Sequence, residues 1–114
     1  MNLKNIALKN TYKLLGHGPT VIITTFDGEK HNACPIAWIM PLDLDPALFV
    51  AVISKEHKTF ENLMKTKECV INIPVASQKE LVLEFGGCSG KEKDKMLNVE
   101  IISAKNVAPL CIKG

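Results

Sequence analysis

From Thr20 to Phe26 the sequence reads TVIITTF, dense in β-branched residues, and it runs directly into Asp27-Gly28. Branched side chains suit a pleated strand, and Asp-Gly is among the dipeptides that most readily close a tight hairpin. A strand, a turn and an antiparallel return strand are therefore predicted. The return is His31 to Met40, apolar and without helical periodicity. Pro35 within it cannot donate to a ladder, which confines it to an edge or a bulge.

Further strands follow. Pro41 to Pro46 (PLDLDP) reads as a loop, and Ala47 to Ser54 (ALFVAVIS) as a short, continuously apolar, buried strand. Thr59 stands as N-cap before Phe60, Leu63 and Met64, whose one-sided spacing predicts a short helix. Glu68 to Pro74 supplies a fourth strand. Ser77 to Glu80 has the form of a capping box opening a second helix, with Leu81, Val82 and Phe85 toward the core. Gly86-Gly87 stops it, glycine tolerating the left-handed geometry found beyond many helix ends. Lys91 to Lys95 reads as a solvated helical turn, Val99 to Ala104 as a strand, and Pro109 to Ile112 (PLCI) as the start of another.

Four firm and two weaker strands make the expected architecture mainly β, a barrel with short helices that is barely closed and incomplete at its C-terminal end. The 114 residues suffice for one core, so residues 1–114 are expected to form a single domain, truncated at the C-terminus. Its open edge would need cover from a partner chain or a swapped segment.

Charge and composition remove several function classes. The net charge is +2 and every basic residue is lysine. Without arginine the bidentate reader of guanine is missing, so no nucleic-acid partner is expected. Lysines interrupt the N-terminal apolar residues, so no signal peptide is expected. The longest apolar stretch, Ala47 to Ile53, is far below the roughly 20 residues of a membrane-spanning helix, so no membrane partner is expected and the location is read as cytoplasmic. Cys34, Cys69, Cys88 and Cys111 form no Cys-x-x-Cys pair, so no metal is expected and the thiols read as small buried hydrophobes. His17, His31 and His57 lack the i, i+4 spacing of a zinc protease. Gly86 to Glu92 (GGCSGKE) imitates a phosphate-binding loop but has Phe85 in place of its first glycine and Glu92 in place of Ser or Thr.

One polar stretch remains. Ser54 to Thr59 (SKEHKT) leaves a strand and enters a helix, offering backbone N–H groups, the Thr59 hydroxyl and the charges of Lys55 and Lys58. A helix N-terminus of this kind suits a phosphomonoester; on its own the stretch reads more readily as an ordinary capped loop.

Four segments in fixed order carry a resemblance: GPTVIITTFDG, then NACPIAWIMPLDLDP (Asn32 to Pro46), then SKEHKT followed by ECVINIP, and finally GGCSGKEKDKM ending at Met96. Together they resemble the flavin reductase-like family, the FMN-binding split barrels that include flavoredoxins and ferric reductases. The resemblance implies a split β-barrel with flavin mononucleotide (FMN) as cofactor. It implies that Asn32, Ala33, Cys34, Pro35 and Trp38 line the flavin edge. Ser54, Lys55, His57 and Thr59 would hold its phosphate or ring, and Ser89, Gly90 and Lys95 would approach from the following loop. Trp38 alternatively reads as a core aromatic.

By the same resemblance the chain is expected to be an FMN-binding oxidoreductase. It would pass electrons from NADH, NADPH or a redox protein to a flavin, ferric ion or protein acceptor, and would form a homodimer. The alternative is an FMN-binding electron carrier without nicotinamide turnover. Three departures bear on this. Pro35 stands where many relatives carry Thr, Lys91 replaces the usual Arg, and the family's second half, with its His-containing strand near the nicotinamide side, has no counterpart.

Overall fold

The structure is a computed structural model that describes residues 4–91, 94–96 and 99–113. A 3-10 turn at Leu8–Asn10 leads into helix α1, Tyr12–Leu15. The predicted hairpin follows as β1, Val21–Phe26, and β2, His31–Ile36, in continuous antiparallel register from Val21 opposite Ile36 to Phe26 opposite His31. Its tip lies one residue later than the Asp-Gly signal suggests. Asp27 N–H donates to the Lys30 carbonyl, and Gly28, at φ 104°, takes the first tip position. Asp27 Oδ1 accepts the amides of Glu29 and Lys30, both at 2.8 Å.

The predicted long return strand is two strands. Beyond Ile36 the chain bends at Ala37 and Trp38 and resumes as β3, Ile39–Asp43, which pairs with β4, Leu48–Ala51, rather than with β1. Pro35 sits within β2, without a bulge, in the edge strand of a sheet ordered β2-β1-β5, where β5 is Val70–Asn72. The expectation of a buried strand over 47–54 is corrected: Leu48, Phe49 and Val50 of β4 are all exposed. Among the described residues the β3–β4 ribbon has no third strand, and Ile39 and Ala51 on its inner side meet the core.

Because side chains alternate along a strand, β1 feeds two cores at once. Val21 and Ile23 join Cys34, Ile36, Leu15 and Ile39 on one face. Ile22 joins Ala33 and Phe85 on the other, under Leu81 and Val82 of helix α3, Lys79–Gly86. Each fully buried Val, Ile or Phe contributes about 1.5–3 kcal/mol by removal from water.

Helix α2, Lys58–Thr66, covers the first face near the hairpin tip. Two expectations for it are corrected. The N-cap is His57, not Thr59, and the face it buries is polar: Thr59 and Asn62 are fully enclosed while Met64 is 63% exposed. The reason is a four-membered polar square. Asn32 and Thr25 are cross-strand partners in the hairpin, and each meets one helix residue, Asn32 Nδ2 donating to Thr59 Oγ1 (3.1 Å) and Asn62 Nδ2 to Thr25 Oγ1 (3.0 Å). Lys58 and Lys65 hold the same helix to the turn, through the Asp27 carboxylate (3.3 Å) and carbonyl (2.8 Å).

The capping box at Ser77 is also corrected. Residues Ala76–Gln78 form a 3-10 turn in which Gln78, not Ser77, is the working side chain, accepting from Val75 N–H and donating to the Lys113 carbonyl. Helix α3 ends at Gly86 as expected, but Gly87 keeps a right-handed φ of −82°; its N–H satisfies the carbonyls of Leu83 and Glu84 without a left-handed residue. The helical turn expected over 91–95 falls partly outside the described residues. The two weak strands are present as β6, Ile101–Ile102, and β7, Cys111–Ile112, paired with each other and tied to the main sheet by Thr24 Oγ1 to the Leu110 carbonyl (2.6 Å) and Ile112 N–H to Asn72 Oδ1 (2.9 Å). Among the described residues no helix is long and apolar enough to cross a membrane.

Candidate functional site

A cleft of about 400 Å³ lies beside the edge strand β2, between the start of α2 and the end of α3 with the loop that follows it. Strand β2 contributes Asn32, Cys34 and Pro35; α2 and its cap contribute His57, Lys58 and Thr59; the end of α3 and its loop contribute Phe85 through Gly90, and Lys95 completes the wall. An edge strand is the place for such a cleft, since among the described residues the flank of β2 away from β1 carries no further strand.

Two corners of the polar square, Asn32 and Thr59, belong to the wall of this space. Asn32 is 4% exposed, its amide nitrogen is committed to Thr59, and its Oδ1 has no partner among the described residues. A buried acceptor without a partner costs about 1–3 kcal/mol, a cost that an N–H or O–H donor reaching Oδ1 would remove. Gly90 closes against the same side chain: a Cβ at residue 90 would collide with Asn32 Oδ1 and come within 2.7 Å of its Cγ. Only glycine lets that loop approach.

The lysines are already engaged. Lys95 Nζ donates to the carbonyls of Ala33 (3.1 Å) and Phe85 (2.9 Å), stapling β2 to the end of α3, where a cation complements the helix dipole. Lys58 pairs with Asp27 and Glu61. Partial burial pulls its pKa down, but the hydrogen bonds to Glu61 and Asp27 outweigh this and leave it raised. Asp27 is held down to about 2, chiefly by the amides of Lys30 and Glu29. Cys34 Sγ lies 3.9 Å from His57 Nδ1. The first amides of α2 have no acceptor within the helix, and the Ser89 hydroxyl accepts from Lys91 N–H, leaving its proton to donate.

Of the residues singled out from sequence, the cleft gathers Asn32, Cys34, Pro35, His57, Thr59, Ser89, Gly90 and Lys95. Four lie elsewhere. Ala33 is fully buried on the opposite face of β2 and reaches the site only through its carbonyl. Trp38 is 74% exposed beside Met40, Val50 and Val52 of the β3–β4 ribbon, neither in the cleft nor in the core. Ser54 and Lys55 are exposed in the turn before α2, where Ser54 accepts the amides of His57 and Glu56. Phe85, Gly86, Gly87 and Cys88 are lining residues the sequence reading missed; the Gly86-Gly87 pair was visible as a helix stop, without a sign that it also bounds a cleft. Among the described residues, no three His, Cys, Asp or Glu side chains gather as a metal site.

Comparison with known proteins places this geometry. The Flavin reductase like domain matches residues 16–114. The Escherichia coli (strain K12) protein YddH, itself uncharacterized, is 34% identical over 92 residues, 79% of this chain and 49% of YddH. An FMN-binding domain of a flavin reductases-like enzyme from Shewanella baltica OS155 superposes with a TM-score of 0.94 at 29% identity, over 99% of this chain and 61% of that one. The FMN-binding protein of Thermus thermophilus, solved with 1-cyclohex-2-enone bound, gives 0.78 at 26% identity, over 100% and 62%. The chain thus spans between about half and under two thirds of the length of these relatives. With nearly all of its length inside the match, the chain belongs to the flavin reductase-like domain family and has its split-barrel fold.

Proposed function

We propose that this chain binds FMN in the cleft beside β2 and serves as an oxidoreductase, passing electrons from a reduced nicotinamide or a redox protein to a flavin, ferric ion or protein acceptor. The observation that carries the reading is the buried Oδ1 of Asn32, without a partner among the described residues, in the wall of a cleft that Gly90 can border only because it lacks a side chain. A flavin presents a pyrimidine N–H, an apolar ring and a phosphate. Asn32 Oδ1 accepts such an N–H, Pro35 and Phe85 offer apolar wall, and the first amides of α2 with the Ser89 hydroxyl suit the phosphate. The residues therefore fit the group. Bound there, FMN supplies the redox chemistry, and the chain's own part is to hold, orient and shield it.

A second reading, an FMN-binding electron carrier without nicotinamide turnover, is favoured by the size of the cleft. At about 400 Å³ it stands near the lower end of ligand pockets, sized for one ring-bearing ligand rather than two. An absorbance spectrum of the purified protein before and after adding FMN tests the common core: near-stoichiometric bound-flavin bands are expected, and their absence overturns both readings. FMN-dependent oxidation of NADH or NADPH by the loaded protein selects the first; flavin binding without it selects the second.

Self-association as a homodimer belongs to the same proposal, supported by Trp38, Met40, Val50 and Val52 standing exposed together on the β3–β4 ribbon. Sedimentation showing only monomer at micromolar concentration refutes it. A cytoplasmic location is proposed alongside, and fractionation of cells expressing the tagged chain checks it.

A further inference from the structure

The cleft holds one reactive group that the holding of a flavin does not consume. Cys34 is 8% exposed and lines the cleft, with Sγ 3.9 Å from His57 Nδ1 and 3.7 Å from the Pro35 carbonyl. The thiolate is the nucleophilic form of cysteine, and an adjacent imidazole is the group that takes its proton. Cys88 lines the same cleft, but its Sγ lies 3.6 Å from the Glu84 carbonyl, an acceptor that is no base. Cys69 is half-buried outside the cleft, and burial pushes its pKa up. That the cleft receives a ligand at all rests on separate ground, the buried Oδ1 of Asn32, without a partner among the described residues, two residues along β2.

We propose that Cys34 is a peroxide-sensitive modification site and that its oxidation closes the cleft to its ligand. The choice of oxidant rests on the flavin reading above: flavins react with dioxygen, and two-electron reduction of dioxygen gives hydrogen peroxide. In the step, His57 Nδ1 takes the thiol proton and Sγ attacks one peroxide oxygen. The O–O bond breaks, and the departing hydroxide recovers a proton from His57 and leaves as water. Sulfur loses two electrons and peroxide gains them, so Cys34-SH and H2O2 give Cys34-SOH and H2O. The added oxygen projects from the wall between Asn32 and Pro35, and a thiol reductant removes it.

The test treats the full reduced chain with hydrogen peroxide in the presence of dimedone, which traps sulfenic acids, and maps the adducts by peptide mass. Cys34 is expected to label at least tenfold faster than Cys88 in the same molecule. His57→Gln is expected to slow Cys34 labelling about tenfold and leave Cys88 unchanged. Equal labelling of Cys34 and Cys88, or no effect of His57→Gln on Cys34, overturns the proposal. In a second arm, FMN is titrated before and after peroxide without dimedone. A tenfold or greater rise in Kd, reversed by dithiothreitol, is expected, and an unchanged Kd overturns the closure. If Cys34 labels selectively but FMN neither binds the untreated protein nor protects Cys34, the flavin reading fails while the modification site stands.

Discussion

Gly90→Ala isolates the contact between the loop after α3 and the polar square. The φ of Gly90 lies outside the left-handed region, so the backbone tolerates alanine and the effect is steric. The new Cβ would overlap Asn32 Oδ1 and stand 2.7 Å from Cγ and 3.3 Å from Nδ2. Either the loop withdraws or Asn32 turns away and gives up its 3.1 Å bond to Thr59. Loss of a buried hydrogen bond with one partner left unsatisfied costs about 1–3 kcal/mol, and an acceptor moved out of line weakens ligand binding by about 1 kcal/mol, five- to tenfold in Kd. Urea denaturation reads the first number and FMN titration the second. Gly16→Ala, whose Cβ meets only the Tyr12 carbonyl at 3.4 Å, serves as the control and is expected to stay within about 0.5 kcal/mol of wild type. The decisive comparison is a cycle with Asn32→Ala, in which the obstacle is gone and Gly90→Ala should cost almost nothing. Additive effects in that cycle, or wild-type stability and FMN affinity for Gly90→Ala, refute the reasoning.

Lys95→Met removes both bonds of the staple between β2 and α3 and is expected to cost about 1–3 kcal/mol in urea unfolding, with FMN affinity falling as the cleft wall loosens. Asn62→Leu leaves the buried Thr25 hydroxyl without its donor and is expected to cost about 1–3 kcal/mol, whereas Asn62→Leu with Thr25→Val recovers most of it, because both partners are then apolar. Asp27, held at about 2 against an ordinary 3.8, binds its proton less readily folded than unfolded. Its contribution is therefore present above about pH 4 and lost as pH falls toward 2, so Asp27→Asn should show a shallower fall in Tm across that window than wild type.

How far the sequence disclosed all this depends on the range of the interaction concerned. The β1–β2 hairpin was legible because its evidence is local: branched residues, then Asp-Gly. The break at Ala37 and Trp38 was not, since an apolar run reads the same whether it continues one ladder or changes partners. For the same reason β4 looked like a core strand, although its neighbours leave Leu48, Phe49 and Val50 in the open. Thr59 looked like a cap because it precedes apolar residues, whereas its partner is Asn32, 27 residues earlier. The cleft was half legible. The residues of β2, the entry to α2 and the loop at Ser89 and Gly90 could be named from their order along the chain. Strand alternation decides which of Ala33, Cys34 and Trp38 reach it, and that depends on a bend that leaves no local signal.

The polar square has a consequence for descent as well as for folding. Thr25, Asn32, Thr59 and Asn62 lie on three elements, and each satisfies a group that another would leave stranded. As copies of this sequence diverge, a solitary change at one corner meets a penalty that a matching change at the opposite corner lifts. Substitutions at 25 and 62 should therefore arrive together among descendants, while 32 and 59 resist exchange because Asn32 also answers to Gly90 and the cleft. The helix that presents His57 would then keep its rotational setting long after the surface around it has been rewritten.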